Sequence, residues 1–159
     1  MPLTFGLSSV RELFAKLKRD ANLLDAEVTS DRLFNFVVTG YSMIDWVRND
    51  PSVPASAKAE NEVNLLRVDP WLKVCGDLAT ACKHFSFTRR VPITQSADAR
   101  EGYGCGRFGK GTYGVGESSI EIQMNDGTAF SGLDLVNGVI SKWQAFFEAH
   151  GVISETRQV

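Results

Sequence analysis

The sequence predicts an α+β fold in which a bundle of three to four helices is followed by a small antiparallel sheet and a C-terminal helix. Three observations carry that expectation. Apolar residues recur at spacings of three and four between residues 10 and 85, as one face of a helix requires. Near residue 85 the period changes to two. Beyond it, Asp126-Gly127 marks a tight hairpin, and Ser131 with Asp134 marks the start of a last helix. This order fits one domain, with the helical part at about 8–84, the sheet and C-terminal helix at about 85–151 and a flexible tail at 152–159.

The first helix opens on Ser9, with Glu12 placed to complete a capping box, and its stripe runs Val10, Leu13, Phe14, Leu17, Ala21 and Leu24. The second starts at Thr29 or Ser30. Leu33, Val37, Tyr41, Ile44 and Val47 form its stripe, Phe34 and Val38 widen it, and Asn49-Asp50-Pro51 ends it. The stretch PSVPASAKAENEV reads as a mobile loop with at most a short, weakly packed helix. Asp69 and Pro70 then supply an N-cap and an N1 proline to a third helix with the stripe Trp71, Val74, Cys75, Leu78, Cys82 and Phe85.

In FSFTRRVPI the alternation of Phe85, Phe87, Val91 and Ile93 predicts an edge strand. SIEIQM predicts a second, joined through Asp126-Gly127 to a third over Thr128–Leu133. The last helix carries Val136, Val139, Ile140, Trp143, Phe146 and Phe147 on one face and stops at His150-Gly151. Of the stripe residues, Phe14, Leu17, Val37, Trp71, Leu78, Ile122, Val139, Trp143 and Phe147 are expected to be nearly inaccessible.

Composition narrows the function classes. With 43% hydrophobic and 23% charged residues among 159, the chain is too apolar to be disordered. No apolar run approaches the roughly 18 residues of a membrane span, and the N-terminal stretch lacks a basic region before an apolar core. A cytoplasmic location and no membrane partner are the expectation. Cys75 and Cys82 would lie about 10 Å apart along one helix, too far to bridge, and with His84 they match no metal-ligand spacing. No metal and no cofactor are expected.

EGYGCGRFGKGTYGVGES, residues 101–118, holds seven glycines in fifteen positions. It contains Gly104, Gly106 and Gly109 in the spacing of a dinucleotide fingerprint, and GxxxxGK ending at Lys110. Both motifs need a buried strand before them and a helix after them. TQSADAREGY before the tract is polar, an extended approach to a strand follows it, and Gly111 stands where a hydroxyl would bind magnesium. The tract therefore reads as a flexible connection that presents Arg107 and Lys110 to solvent. From Lys83 to Thr112 six basic residues face two acidic ones, leaving a net of minus six elsewhere, with Phe85, Phe87, Tyr103 and Phe108 interleaved. Arg89, Arg90, Arg107 and Lys110 are the candidate anion-binding residues. The pI of 5.7 argues against general coating of nucleic acid.

Catalytic candidates are few. Lys73, Asp77, Thr80 and His84 fall on one side of the third helix, with Lys83 beside them and Asp45 placed to face them from the second helix. A buried carboxylate there serves as readily to fix a helix crossing as to move a proton. His84, Lys83, Asp77 and Asp45 are thus the candidates, and no complete hydrolase or metalloprotease motif is present.

GYSMIDWV with DLATACKHFSF, followed by IEIQMNDGTAFSGLDLVNGVISKWQAFFEAHG, resembles a set of small bacterial and phage-type proteins of unknown function. The helical half is also similar to HEPN domains, bundles that include RNases using an arginine and a histidine a few residues apart on one helix. That resemblance would imply a metal-independent RNase or phosphodiesterase using His84. The arginine is absent before His84, and Lys83 lacks the planar fork that grips phosphate. The leading expectation is a non-enzymatic interaction or regulatory domain that contacts an acidic protein or nucleic-acid partner through the glycine-rich basic tract. The RNase is the alternative.

Overall fold

The structure, a computed structural model, describes residues 3–102 and 117–154. These form an α+β fold of six helices and a three-stranded antiparallel sheet. Helix α1 (Val10–Ala26) buries Val10, Leu13, Phe14, Leu17 and Leu24, the stripe the spacing predicts. Its cap differs in one bond: the Ser9 hydroxyl accepts from the Glu12 N–H, but the Glu12 carboxylate takes the N–H and hydroxyl of Ser8.

Helix α2 (Ser30–Asn49), capped by Thr29, buries Leu33, Phe36, Val37, Gly40, Met43, Ile44 and Val47. This face is turned from the expected one, since Phe36 and Met43 enter the core while Phe34 and Val38 stay exposed. The cause is the neighbours: α2 lies between α1 and α5, so its inner surface wraps further round than one stripe. A Cβ added at Gly40 would come within 3.2–3.5 Å of Cys75, Val139 and Leu17, one from each surrounding helix.

Asp50 joins the end of α2 to the start of α1. Its buried carboxylate accepts from the Val10 N–H at 2.7 Å and from the N–H and hydroxyl of Ser52. Burial opposes the charge, yet those donors outweigh it and hold the carboxyl below its ordinary value of 3.8. A depressed native pKa stabilises the fold above the unfolded value, and that contribution is lost as pH falls through the native one. Asp50→Ala should therefore melt in urea before the parent at neutral pH, with the gap narrowing as acid takes the solution below pH 3.8. A gap of constant size across that range would contradict this assignment.

Residues 51–69 are more ordered than the sequence suggests. They form α3 (Ala55–Lys58) and α4 (Glu60–Val68), and Val53, Ala57, Val63 and Leu66 are all buried. The polar composition concealed the pairs Val53 with Ala57 and Val63 with Leu66, four and three apart, which is enough to seat short helices. Helix α5 (Pro70–His84) begins as expected, with the Asp69 carboxylate accepting from the N–H groups of Trp71 and Leu72.

No strand forms over 85–93. Strand β1 is Thr94–Gly102 instead, pairing with β2 (Glu117–Met124), which pairs with β3 (Ala129–Ser131). The alternation of Phe85, Phe87 and Val91 is that of a surface segment, whereas β1 is polar because it lies at the sheet edge and buries little. Asp126 shapes the hairpin by accepting from the N–H and hydroxyl of Thr128, and Gly127 takes φ +89°. Three residues stand between the paired Met124 and Thr128, so the loop is longer than a two-residue turn. β3 ends at once in α6 (Gly132–Ala149), where Ser131 and Asp134 form the full reciprocal capping box.

Helix α6 closes the core: Trp143, Phe147, Val139 and Leu135 are fully buried, and the Trp143 indole donates to the Gly40 carbonyl at 3.1 Å. Seven of the nine residues expected in the core are nearly inaccessible, while Trp71 and Leu78 are half-buried at its margin. Val152 and Ile153 of the expected flexible tail also pack against the core. The Trp71 ring lies directly over Gly138, where an added Cβ would come 2.2 Å from an indole carbon. Gly138→Ala should thus destabilise by about 1–3 kcal/mol, although alanine is the better helix former by about 1 kcal/mol. Trp71→Leu in the same chain should restore most of that loss in a double-mutant cycle; strict additivity would refute the contact.

Candidate functional site

Asp77 organises the ground on which the candidate surface stands. It is nearly inaccessible, on the middle of α5, and it accepts from Arg90 Nε at 2.7 Å, the Ile93 N–H at 2.9 Å, the Thr94 N–H at 3.0 Å and the Thr94 hydroxyl at 2.9 Å. Arg90 also donates to the Tyr41 hydroxyl and the Lys73 carbonyl, each at 3.0 Å. Burial works against its charge, but the hydrogen bond it donates to Asp77 and the Tyr41 oxygen more than offset it and raise its pKa further. Gly76 makes room for this stack, since a Cβ there would sit 2.6 Å from the Tyr41 ring and 2.8 Å from Arg90. The network ties the returning chain to the middle of α5 and fixes where β1 begins.

Between the end of α5 and the start of β1, residues 85–91 pass over the surface and leave a groove of about 580 Å³. Its walls are Leu33, Phe34 and Val37 of α2, Leu78, Ala81 and Cys82 of α5, Phe85 and Phe87 of the connection, and β1 from Thr94 to Ala99. Ala97 pairs with Ile122 and Ala99 with Ile120, so both alanines share the inward face of the sheet with those buried residues. They are too small to fill the space above α5, and the groove stays open along β1.

Phe85 is the most unusual residue of this surface. It ends α5 with φ +63°, a left-handed conformation that favours glycine, and its ring is 97% exposed. A bulky side chain in that region is strained by about 1–2 kcal/mol, and no burial offsets it. Phe34, Val91 and Phe87 are exposed as well. The chain carries no Asp or Glu from Leu78 to Ala97, while Lys83, His84 and Arg89 are all exposed. The result is an aromatic groove with a cationic margin.

The expected site residues separate into different settings. Lys83 and His84 are exposed at the end of α5, and Arg89 is exposed in the connection that follows. Arg90, expected among the anion-binding residues, is committed to Asp77 and Tyr41, and Asp77 itself is a structural hub. Asp45 is exposed on the later half of α2, about 16 Å along the axis from Phe34, which shares the groove with Phe85. α2 thus does not bring it to His84. Arg107 and Lys110, with the glycine tract, lie outside the described residues.

Sequence reasoning missed Tyr41 as a partner of Arg90 and missed the groove itself. The legible signal was the run of bulky apolar residues among cations after His84, read as a strand because it alternates. Burial raises the pKa of both Cys75 and Cys82, and Cys75 Sγ points to the Val37 carbonyl, so neither is poised as a thiolate. Among the described residues no three metal-ligating side chains gather, and no helix is long and apolar enough to cross a membrane.

A larger cleft of 840 Å³ lies between the end of α1 and the start of α6. Its wall includes Asp134, already bonded to Ser131, and the carboxylates Asp25 and Glu27, and none of the exposed large apolar side chains lines it. The groove at the end of α5 is the better candidate. No family model, no curated protein and no solved structure matches the chain.

Proposed function

We propose that the protein is a non-enzymatic interaction domain that holds an acidic partner on the face where α5 ends. The observation that carries this reading is Phe85, an exposed aromatic kept in a conformation that glycine would adopt more easily. A fold selected for stability alone has no use for it; a partner that covers the ring does. Lys83 and Arg89 near it supply the charge that favours an acidic ligand, and Arg107 and Lys110 add to it further along the chain.

The test uses Phe85→Gly. Glycine relieves the left-handed strain, so the variant should melt no lower than the parent. A protein captured from an extract of the host by the parent should be lost by the variant. Equal capture by both chains would move the contact elsewhere. The HEPN-like alternative rests on His84 with Lys83 next to it, and it would displace this reading if the chain cleaved short RNA without metal and His84→Ala did not.

A further inference from the structure

We infer that the free edge of β1 receives an extended, acidic and apolar segment of a partner protein as an added strand. This rests on the interaction reading above and specifies what the partner inserts. Among the described residues β1 is the outer strand of the sheet, bonded to β2 on one side, and its nine residues run about 30 Å with no strand on their other edge. An unpaired edge is a template for another chain, which a fold blunts with charge or proline or uses for binding. Within β1 no proline intervenes, and Ala97 and Ala99, the positions of its inward face that line the groove, are uncharged.

The groove begins at that edge. Every second side chain of an added strand would face inward, above Leu78, Cys82 and Phe34, with Phe85 and Phe87 across the groove. Those positions call for apolar residues. The cations Lys83 and Arg89, with no carboxylate between Leu78 and Ala97, call for acidic residues at the flanks.

The experiment selects peptides of about 8 residues from a random display library against the full chain. Enriched sequences should alternate apolar residues and carry Asp or Glu, and their binding should perturb the amide resonances of 94–99 and 85–89. The best peptide is then remade with N-methyl groups on alternate residues. Methylation of the set that faces β1 should weaken binding by roughly tenfold per hydrogen bond lost, while methylation of the other set changes it by less than about twofold. Ala99→Trp, a change at an exposed position, should fill the groove and abolish binding with the melting temperature held.

Two methylated sets that bind as well as the parent peptide would sink strand addition and leave the interaction face standing. A library with no enriched sequence, or one whose peptides bind Phe85→Gly and the parent alike, would overturn both. Sedimentation of the chain as a dimer that Ala99→Trp dissociates would replace the partner segment with a second copy.

Discussion

Asp77→Ala is expected to destabilise the protein by about 3–5 kcal/mol, the effect of leaving a buried pair with one member. Four donors converge on this carboxylate, and two of them are the N–H groups of Ile93 and Thr94. The Arg90 side chain is 27% exposed, so water recovers part of its charge when Asp77 is lost. The amides recover less, and the larger share of the loss should fall on them. Urea melts would give the magnitude, and hydrogen exchange at 90–96 should accelerate more than exchange in α1. Asp77→Asn keeps one acceptor and should lose less. A parent-like melt for Asp77→Ala would mean that the start of β1 is held by packing alone.

Trp143→Ala should be comparably severe, at about 3–5 kcal/mol. The indole is fully buried, stacks on Phe147 at 5.3 Å and meets Phe146 edge-on at 5.8 Å. Its removal leaves a cavity bordered by α1, α2 and α6. Trp143→Phe separates the contributions: the ring remains, the hydrogen bond to Gly40 goes, and the loss should shrink to about 1–1.5 kcal/mol. If both variants lost the same amount, the hydrogen bond and not the volume would be the source.

The helices were legible where a cap and a stripe agreed. Asp69-Pro70 and Ser131 with Asp134 each placed a helix start, because capping is a local interaction between residues close in sequence. α2 was legible in its extent but not in its face: Phe36 and Met43 were preferred over Phe34 and Val38 by helices distant in sequence. β1 was illegible for a related reason. Its residues are held by the ladder to β2 and by the Asp77 anchor, neither of which leaves an alternating pattern.

The candidate surface was half legible. The cluster of cations and aromatics after Lys83 is visible in the chain, whereas the commitment of Arg90 to Asp77, thirteen residues earlier, belongs to the tertiary fold. Arg89 and Arg90 look alike in sequence, and only the structure separates an exposed cation from an anchored one.

The position of α6 in the chain affects how the protein is made. Leu17, Cys75 and Val139 close around Gly40 at the centre of the bundle, yet α6 follows the other helices in sequence. A ribosome adding roughly 5–20 residues per second leaves the earlier helices without that central wall for several seconds. During that interval the inner faces of α1, α2 and α5 stand open to chaperones, and a chain released before Trp143 should be cleared rather than folded.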